Sequence, residues 1–180
     1  MTKLNLEQIL KITIPFVHKE EERYSINGIK LKVSSGKIKA VATNAEILIT
    51  LDANFENVNN LEVGVYTIEY KSAKKLLALL KLNPNYQILK SDIVKLQDDF
   101  VDYRGVINPP VVHSESVRRV CVDPAYLKVM SEVSLKVLKI DKDIQSILTF
   151  GSETCPIRCN IDTVEFNILI IVAPIKIDIN

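Results

Sequence analysis

Apolar positions recur along the chain with two different periods. Leu6, Ile9, Leu10, Thr13, Phe16 and Val17 fall three and four residues apart, the spacing of one helix face, which predicts an amphipathic segment from about Asn5 to His18. Pro15 lies inside it, where a proline bends or shortens a helix. After the charged KEEER run the period drops to two. In INGIKLKV, Ile29, Leu31 and Val33 alternate with Lys30 and Lys32, so the strand has one dry face and one wet one. Ser-Ser-Gly joins it to a second strand, KIKAVAT, and a polar ATNAE corner leads to a third around Ile47 to Leu51. The Asn-rich stretch from Asn54 to Asn60 reads as a connection and as the flexible loop of this half.

The plan then recurs. VYTIEY reads as a strand and KSAKKLLALLKL as a helix; a Pro-Asn turn follows, with strands near Tyr86 to Lys90 and Ile93 to Leu96. Beyond FVDYRGVINPPVV, the segment VRRVCVD ends in Asp123-Pro124, an N-cap residue followed by a proline at the first helical position. The helix it opens places Tyr126, Leu127, Met130, Val133 and Ser134 on one face. Strands near Ile147 to Phe150, Pro156 to Asn160 and Phe166 to Val172 close the chain. A helix followed by several strands thus occurs three times, a repeat of architecture without residue-level identity. The expected fold class is α+β, with helices on one face of antiparallel sheets.

Charge adds a second pattern. The 180 residues carry a formal net charge of +1, so attraction to a polyanion must come from local clustering. On a helical wheel Ala73, Leu76, Leu77 and Leu80 share one side of the second helix, while Lys71, Lys74, Lys75 and Lys81 occupy the other, with no acid among them. Lys128, Lys136 and Lys139 lie opposite the apolar face of the third helix, beside Glu132, and Lys11 sits beside Glu7 on the first. Such lysines are ordinary on a solvated face, and they also suit sequence-independent phosphate contact. No zinc-finger spacing, basic zipper or aromatic RNA-stacking signature accompanies them.

Candidate chemistry is sparse. His18 and His113 stand outside any nucleophile, zinc or general-base motif. Cys121, Cys155 and Cys159 are odd in number and read as free thiols, and no second pair completes a tetrahedral zinc site. The five glycines are scattered singly, so no loop cradles a phosphate. Asp98 and Asp99 are adjacent and suit a turn. The expectation is a protein without catalysis, metal or cofactor. The opening residues lack a signal-peptide pattern, and no apolar run approaches the ~20 residues of a membrane span; a cytoplasmic location is expected.

Three segments carry a family resemblance. LEQILKITIPFVHKEEERYSINGIKLKVSSGKIKAVATNAEIL resembles the first half of the middle domain of bacterial DNA polymerase sliding clamps, the β subunits of DNA polymerase III. There a helix leads to RYYLNG, two strands and an ATDGHRL corner. Arg23, Tyr24, Asn27 and Gly28 match the first motif; Ala42, Thr43 and Leu48 match the second. FVDYRGVINPP is similar to the clamps' FPDYRRVLP at Phe100, Asp102, Tyr103, Arg104 and Val106. The C-terminal ILTFGSETCPIRCNIDTVEFNILIIVAPIKI resembles the closing strands of the last clamp domain and its VMPMR-type tail, here Val172, Ala173, Pro174, Ile175 and Lys176. The three segments occur in the family's order.

The resemblance implies a DNA-clamp-like fold and no reaction of the protein's own. A clamp subunit has three domains of two helix-plus-strands units each, and this chain has room for a complete domain over 1–113 and a shortened half-domain over 114–180. In the family, partner proteins insert short peptides with apolar ends between the middle and last domains. The corresponding positions are Thr43, Ala45, Leu48, Val106, Ile171, Ala173, Pro174, Ile175 and Lys176. Glu46 and Ile47 replace the family's His-Arg, Val101 its proline and Gly105 its second arginine, changes that would alter the peptide preferred. The DNA-facing set would be Lys11, Arg23, Tyr24, Lys71, Lys74, Lys75, Lys81, Lys128 and Lys136. Two readings follow: a clamp-like replication or repair accessory protein, oligomeric and facing or encircling duplex DNA; or a monomeric clamp mimic that captures peptides and ignores DNA. An unpaired half-domain leaves a sheet edge to cover, which favours the homo-oligomer.

Overall fold

The computed structural model describes residues 3–19, 26–88, 93, 124–138, 145–149, 156–163 and 166–173. The first predicted helix divides in two. Helix α1 spans Leu6–Thr13 and passes into a 3-10 turn at Ile14–Phe16, because Pro15 has no N–H with which to continue the ladder. Its start is fixed by a reciprocal cap. The Gln8 amide N–H donates to Asn5 Oδ1 at 3.0 Å, and the Asn5 N–H donates to Gln8 Oε1 at 2.9 Å, which satisfies two of the donors a helix start leaves open.

Strand β1 (Gly28–Ser34) turns through Ser35 and Gly36 into β2 (Lys37–Thr43). Gly36 has φ +68, a region that glycine enters at little cost. Strand β3 (Ile47–Asn54) runs past the Leu51 boundary that alternation suggests, and β4 (Gly64–Glu69) leads directly into α2 (Tyr70–Leu82). Asn27 and Gly28 tie these pieces together. The Tyr70 N–H donates to the Asn27 carbonyl at 3.2 Å and lies 3.4 Å from Asn27 Oδ1, so a residue distant in sequence serves the start of α2. A Cβ on Gly28 would stand 3.0 Å from the Ile68 carbonyl oxygen and from Thr67 Cγ2, and only glycine lets β1 and β4 approach there.

Helix α3 (Pro124–Leu138) precedes β5 (Gln145–Thr149), β6 (Ile157–Asp162) and β7 (Phe166–Val172). The strands form one antiparallel sheet in the order β4-β1-β2-β3-β7-β6-β5. Within it α1 with β1-β2-β3 and α3 with β5-β6-β7 follow the same plan, and their strand orders mirror each other across the β3–β7 seam. There Leu48 opposes Ile171, Ile49 opposes Ile170 and Leu51 opposes Ile168. Helix-plus-strands therefore occurs twice in full; β4 and α2 begin another unit whose further residues lie largely outside those described.

The three described helices pack on one face of the sheet. Leu6, Ile9 and Leu10 of α1, Ala73, Leu76 and Leu80 of α2, and Met130, Val133 and Val137 of α3 join one core with Ile29, Leu31, Ile49, Leu51, Ile168 and Ile170. Burying each large aliphatic side chain contributes roughly 1.5–3 kcal/mol. The structure corrects the expected face of α3. Leu127 is 46% exposed; the buried arc runs through Tyr126, Met130, Val133 and Val137, and Leu127 lies about 100° round the helix from its centre.

Two loop expectations also change. Tyr86 to Ile88 do not form a strand, since Asn59 claims their polar groups: its Nδ2 donates to the carbonyls of Pro84 at 3.1 Å and Tyr86 at 2.9 Å, and the Ile88 N–H donates to the Asn59 carbonyl. The Asn-rich connection is correspondingly stitched rather than loose. Asn57 Nδ2 donates to the Leu61 carbonyl and Asn57 Oδ1 accepts the Leu61 N–H. The predicted strand over 93–96 and the Asp98–Asp99 turn lie outside the described residues, apart from a buried Ile93. Among the described residues no helix is long and apolar enough to cross a membrane.

Candidate functional site

The corner between β2 and β3 is built by its own polar side chains. Asn44 Oδ1 accepts the N–H groups of Glu46 at 3.0 Å and Ile47 at 2.9 Å. Thr43 Oγ1 accepts the Ala45 N–H at 3.1 Å and donates to the Ile47 carbonyl at 2.9 Å. This double latch forces Ala45 to φ +81, a left-handed conformation that disfavours a Cβ. The ATDGHRL motif has glycine at that position, and the geometry supplies the reason.

From this corner a row of side chains crosses the sheet on the face opposite the helices. Thr43 opposes Leu48 between β2 and β3, and Leu48 opposes Ile171 between β3 and β7. Leu48 and Ile171, 5% and 2% exposed, join Val41 and the partly buried Leu169 in a small apolar cluster separate from the main core. The exposed Ala45, Glu46 and Ala173 form its rim, where the Ala173 N–H donates to the Glu46 carbonyl at 2.8 Å. Thr43, Ala45, Leu48, Ile171 and Ala173 are therefore brought together from segments more than a hundred residues apart in sequence. Val106, Pro174, Ile175 and Lys176 lie outside the described residues.

Sequence reasoning missed three neighbours of this row. Val41 sits one turn of the pleat along β2, and only its place in the AVA run of KIKAVAT hinted at burial on both faces. Arg158 of β6 opposes Ile171 in register. Tyr126, at the start of α3, donates its hydroxyl to the Glu46 carboxylate. The carboxylate that replaces the family's cation is thus held by a helix on the far face of the sheet.

The helix layer carries a surplus of positive charge. Across α1, α2 and α3 stand seven lysines and two glutamates. Lys71, Lys74, Lys75, Lys81 and Lys128 are exposed; Lys74 Nζ lies 5.4 Å from the centre of the Tyr70 ring, within cation–π range. Lys11 is paired with Glu7 at 2.5 Å. Lys136 donates to the Lys11 carbonyl at 3.3 Å, where the negative end of the α1 dipole favours a cation. Arg23 and Tyr24 lie outside the described residues. Cys159 points into the core, and burial pushes its thiol above its ordinary value; Cys121, Cys155, His113 and Lys139 lie outside the described residues.

No protein-family model matches the sequence, and no curated protein does. The structure has clear relatives. The DNA polymerase III β subunit from Thermotoga maritima superposes with a TM-score of 0.64 at 18% identity, covering 96% of this chain and 63% of its own. The β sliding clamp of C. crescentus gives 0.68 at 14% identity, covering 96% and 63%. The DNA polymerase sliding clamp from Bacillus subtilis gives 0.65 at 13% identity, covering 96% and 62%. The chain has the α+β fold of the bacterial DNA polymerase III β sliding clamps, and it spans somewhat less than two thirds of the length of the clamps it matches.

Proposed function

We propose that the chain is a clamp-like DNA replication or repair accessory protein that acts in the cytoplasm without catalysing a reaction. It captures short partner peptides with apolar ends at the Thr43–Leu48–Ile171 row and turns its basic helices toward duplex DNA as a homo-oligomer. The observation that carries this reading is the β3–β7 pairing, which assembles Thr43, Ala45, Leu48, Ile171 and Ala173 at one corner. By the family resemblance Val106, Pro174, Ile175 and Lys176 belong to the same peptide site, and the chain divides into a complete domain over 1–113 and a half-domain over 114–180. A few buried anchors dominate the affinity of such sites. Leu48 and Ile171 are already withdrawn from water, so an incoming side chain seats against the rim and gains most where it displaces cover from them.

The helix layer supports the DNA contact, since seven lysines against two glutamates give one side of the sheet a net positive field. β4 and β5 are the outermost strands of the described sheet, and open strand edges favour pairing with another chain. The test is light scattering of the purified protein with circular duplex DNA, together with anisotropy of a labelled peptide ending in Leu-Phe. A closed oligomer retained on circles and lost from linear DNA, with peptide binding abolished by Leu48→Asp, is expected. A monomer whose peptide binding survives Lys74→Glu/Lys75→Glu and which ignores DNA would replace this reading with the clamp mimic. A protein that binds neither would end both.

A further inference from the structure

A concavity lies at the other end of the outer sheet face. The β1–β2 hairpin, the end of β3 and the start of β7 surround a cleft of about 530 Å³, within the ~300–1,000 Å³ of pockets that hold small ligands. Its side chains come from rows set by strand register. Lys32 opposes Lys39, Lys39 opposes Asp52, and Asp52 opposes Asn167; in the next row Lys37 opposes Asn54. Among the described residues three ammonium groups and one carboxylate thus line one cleft. Lys39 is paired with Asp52 at 3.2 Å, while among the described residues no carboxylate pairs Lys32 or Lys37. Asp162 opposes Asn167 one strand further on but does not line the cleft.

Like charges directly opposite on a sheet repel; Asp52 offsets this at Lys39, and an anion reaching Lys32 and Lys37 would offset it further. Among the described lining residues nothing favours a flat apolar ligand: Phe166, the one aromatic among them, is buried. The neutral groups include the Asn167 amide and the Ser34 hydroxyl, which can donate to oxygens between the ammonium points, while Thr163 Oγ1 already donates to the Phe166 carbonyl at 3.0 Å. We propose that this cleft binds a polyphosphate, a compact anion carrying two or more phosphate groups. Phosphate oxygens accept from lysines acting as point charges, and a chain of phosphates can reach several lysines at once where a single carboxylate cannot. The site lies on the face opposite the helix lysines and does not depend on the DNA or peptide reading.

The test uses the full chain at low ionic strength, with inorganic tripolyphosphate followed by calorimetry and by amide chemical shifts. Saturable binding is expected, with shifts over 32–39, 52–54 and 163–167, weakened about tenfold or more by Lys32→Gln/Lys37→Gln. Asp52→Asn removes the one carboxylate and is expected to tighten binding about threefold, a gain that misfolding cannot imitate. ATP bound more tightly than tripolyphosphate would assign the phosphate chain to a nucleotide, and equal affinity to the phosphates alone; either supports the proposal. It is overturned if adenosine binds as well as ATP, if hexaglutamate outcompetes tripolyphosphate, if the shifts fall on α1 and α2, or if neither variant changes the affinity.

Discussion

Ala45 holds a conformation that its side chain opposes, because the Thr43 and Asn44 bonds around it fix the corner. Placing a Cβ in the left-handed region costs roughly 1–2 kcal/mol, and the extra freedom glycine gives the unfolded chain takes back about 0.4–1 kcal/mol. Ala45→Gly should therefore raise stability by about 0.5–1 kcal/mol in urea unfolding; a loss would show that the methyl packs usefully. Cys159 makes a prediction in pH. Its folded thiol titrates above the unfolded one because burial disfavours the thiolate, so the unfolded chain sheds its proton first as pH rises. Its contribution is intact below the ordinary thiol range near ~8.5 and is lost as pH climbs toward the folded value. Tyr66, raised by burial and by Glu62, adds to the decline at higher pH. Stability should fall above about pH 8.5, with a shallower slope in Cys159→Ala, and a thiol reagent should label Cys159 only after unfolding.

At the scale of elements, α2 divides its leucines sharply. Leu76 is buried in the main core and Leu82 is 85% exposed. Leu76→Ala should cost about 2–5 kcal/mol through lost burial and a cavity, while Leu82→Ala should stay within about 0.5 kcal/mol; equal effects in thermal unfolding would mean that α2 packs by another face. The wheel for α2 could be read from sequence because its lysines leave one clean apolar stripe. The wheel for α3 could not, since Leu127 and Leu135 put apolar residues on the exposed side as well. Only packing against the sheet chooses the Tyr126–Met130–Val133–Val137 arc. The described residues after α2 misled for a related reason: YQI reads as the start of a strand, but Asn59 meets its polar groups from a distance no local pattern reports.

For the whole molecule the decisive feature is the seam between β3 and β7. It joins segments separated by more than a hundred residues and makes one sheet of both halves. Ile49 and Ile170 face each other there, both fully buried. Alanine at each position should give a coupling energy of about 0.5–3 kcal/mol in a double-mutant cycle, within a single unfolding transition seen by both circular dichroism and fluorescence. Two separate transitions with additive substitutions would mean that the halves fold independently.

Local periodicity was sufficient to determine α1, α2 and most strands, because a helix face or a half-buried strand writes its burial directly into the spacing of apolar residues. The shortening of α1 followed from Pro15 alone, and the corner from Thr43 and Asn44, whose bonds all close within a few residues. The tertiary structure decided what depends on distant partners. It set the strand order, the approach of β4 to Gly28, the service of α2 by Asn27, and the hold of Tyr126 on Glu46. It also decided that Lys32, Lys37 and Lys39 share a cleft with β7, because strand alternation assigns a residue to a face but only register assigns it a neighbour.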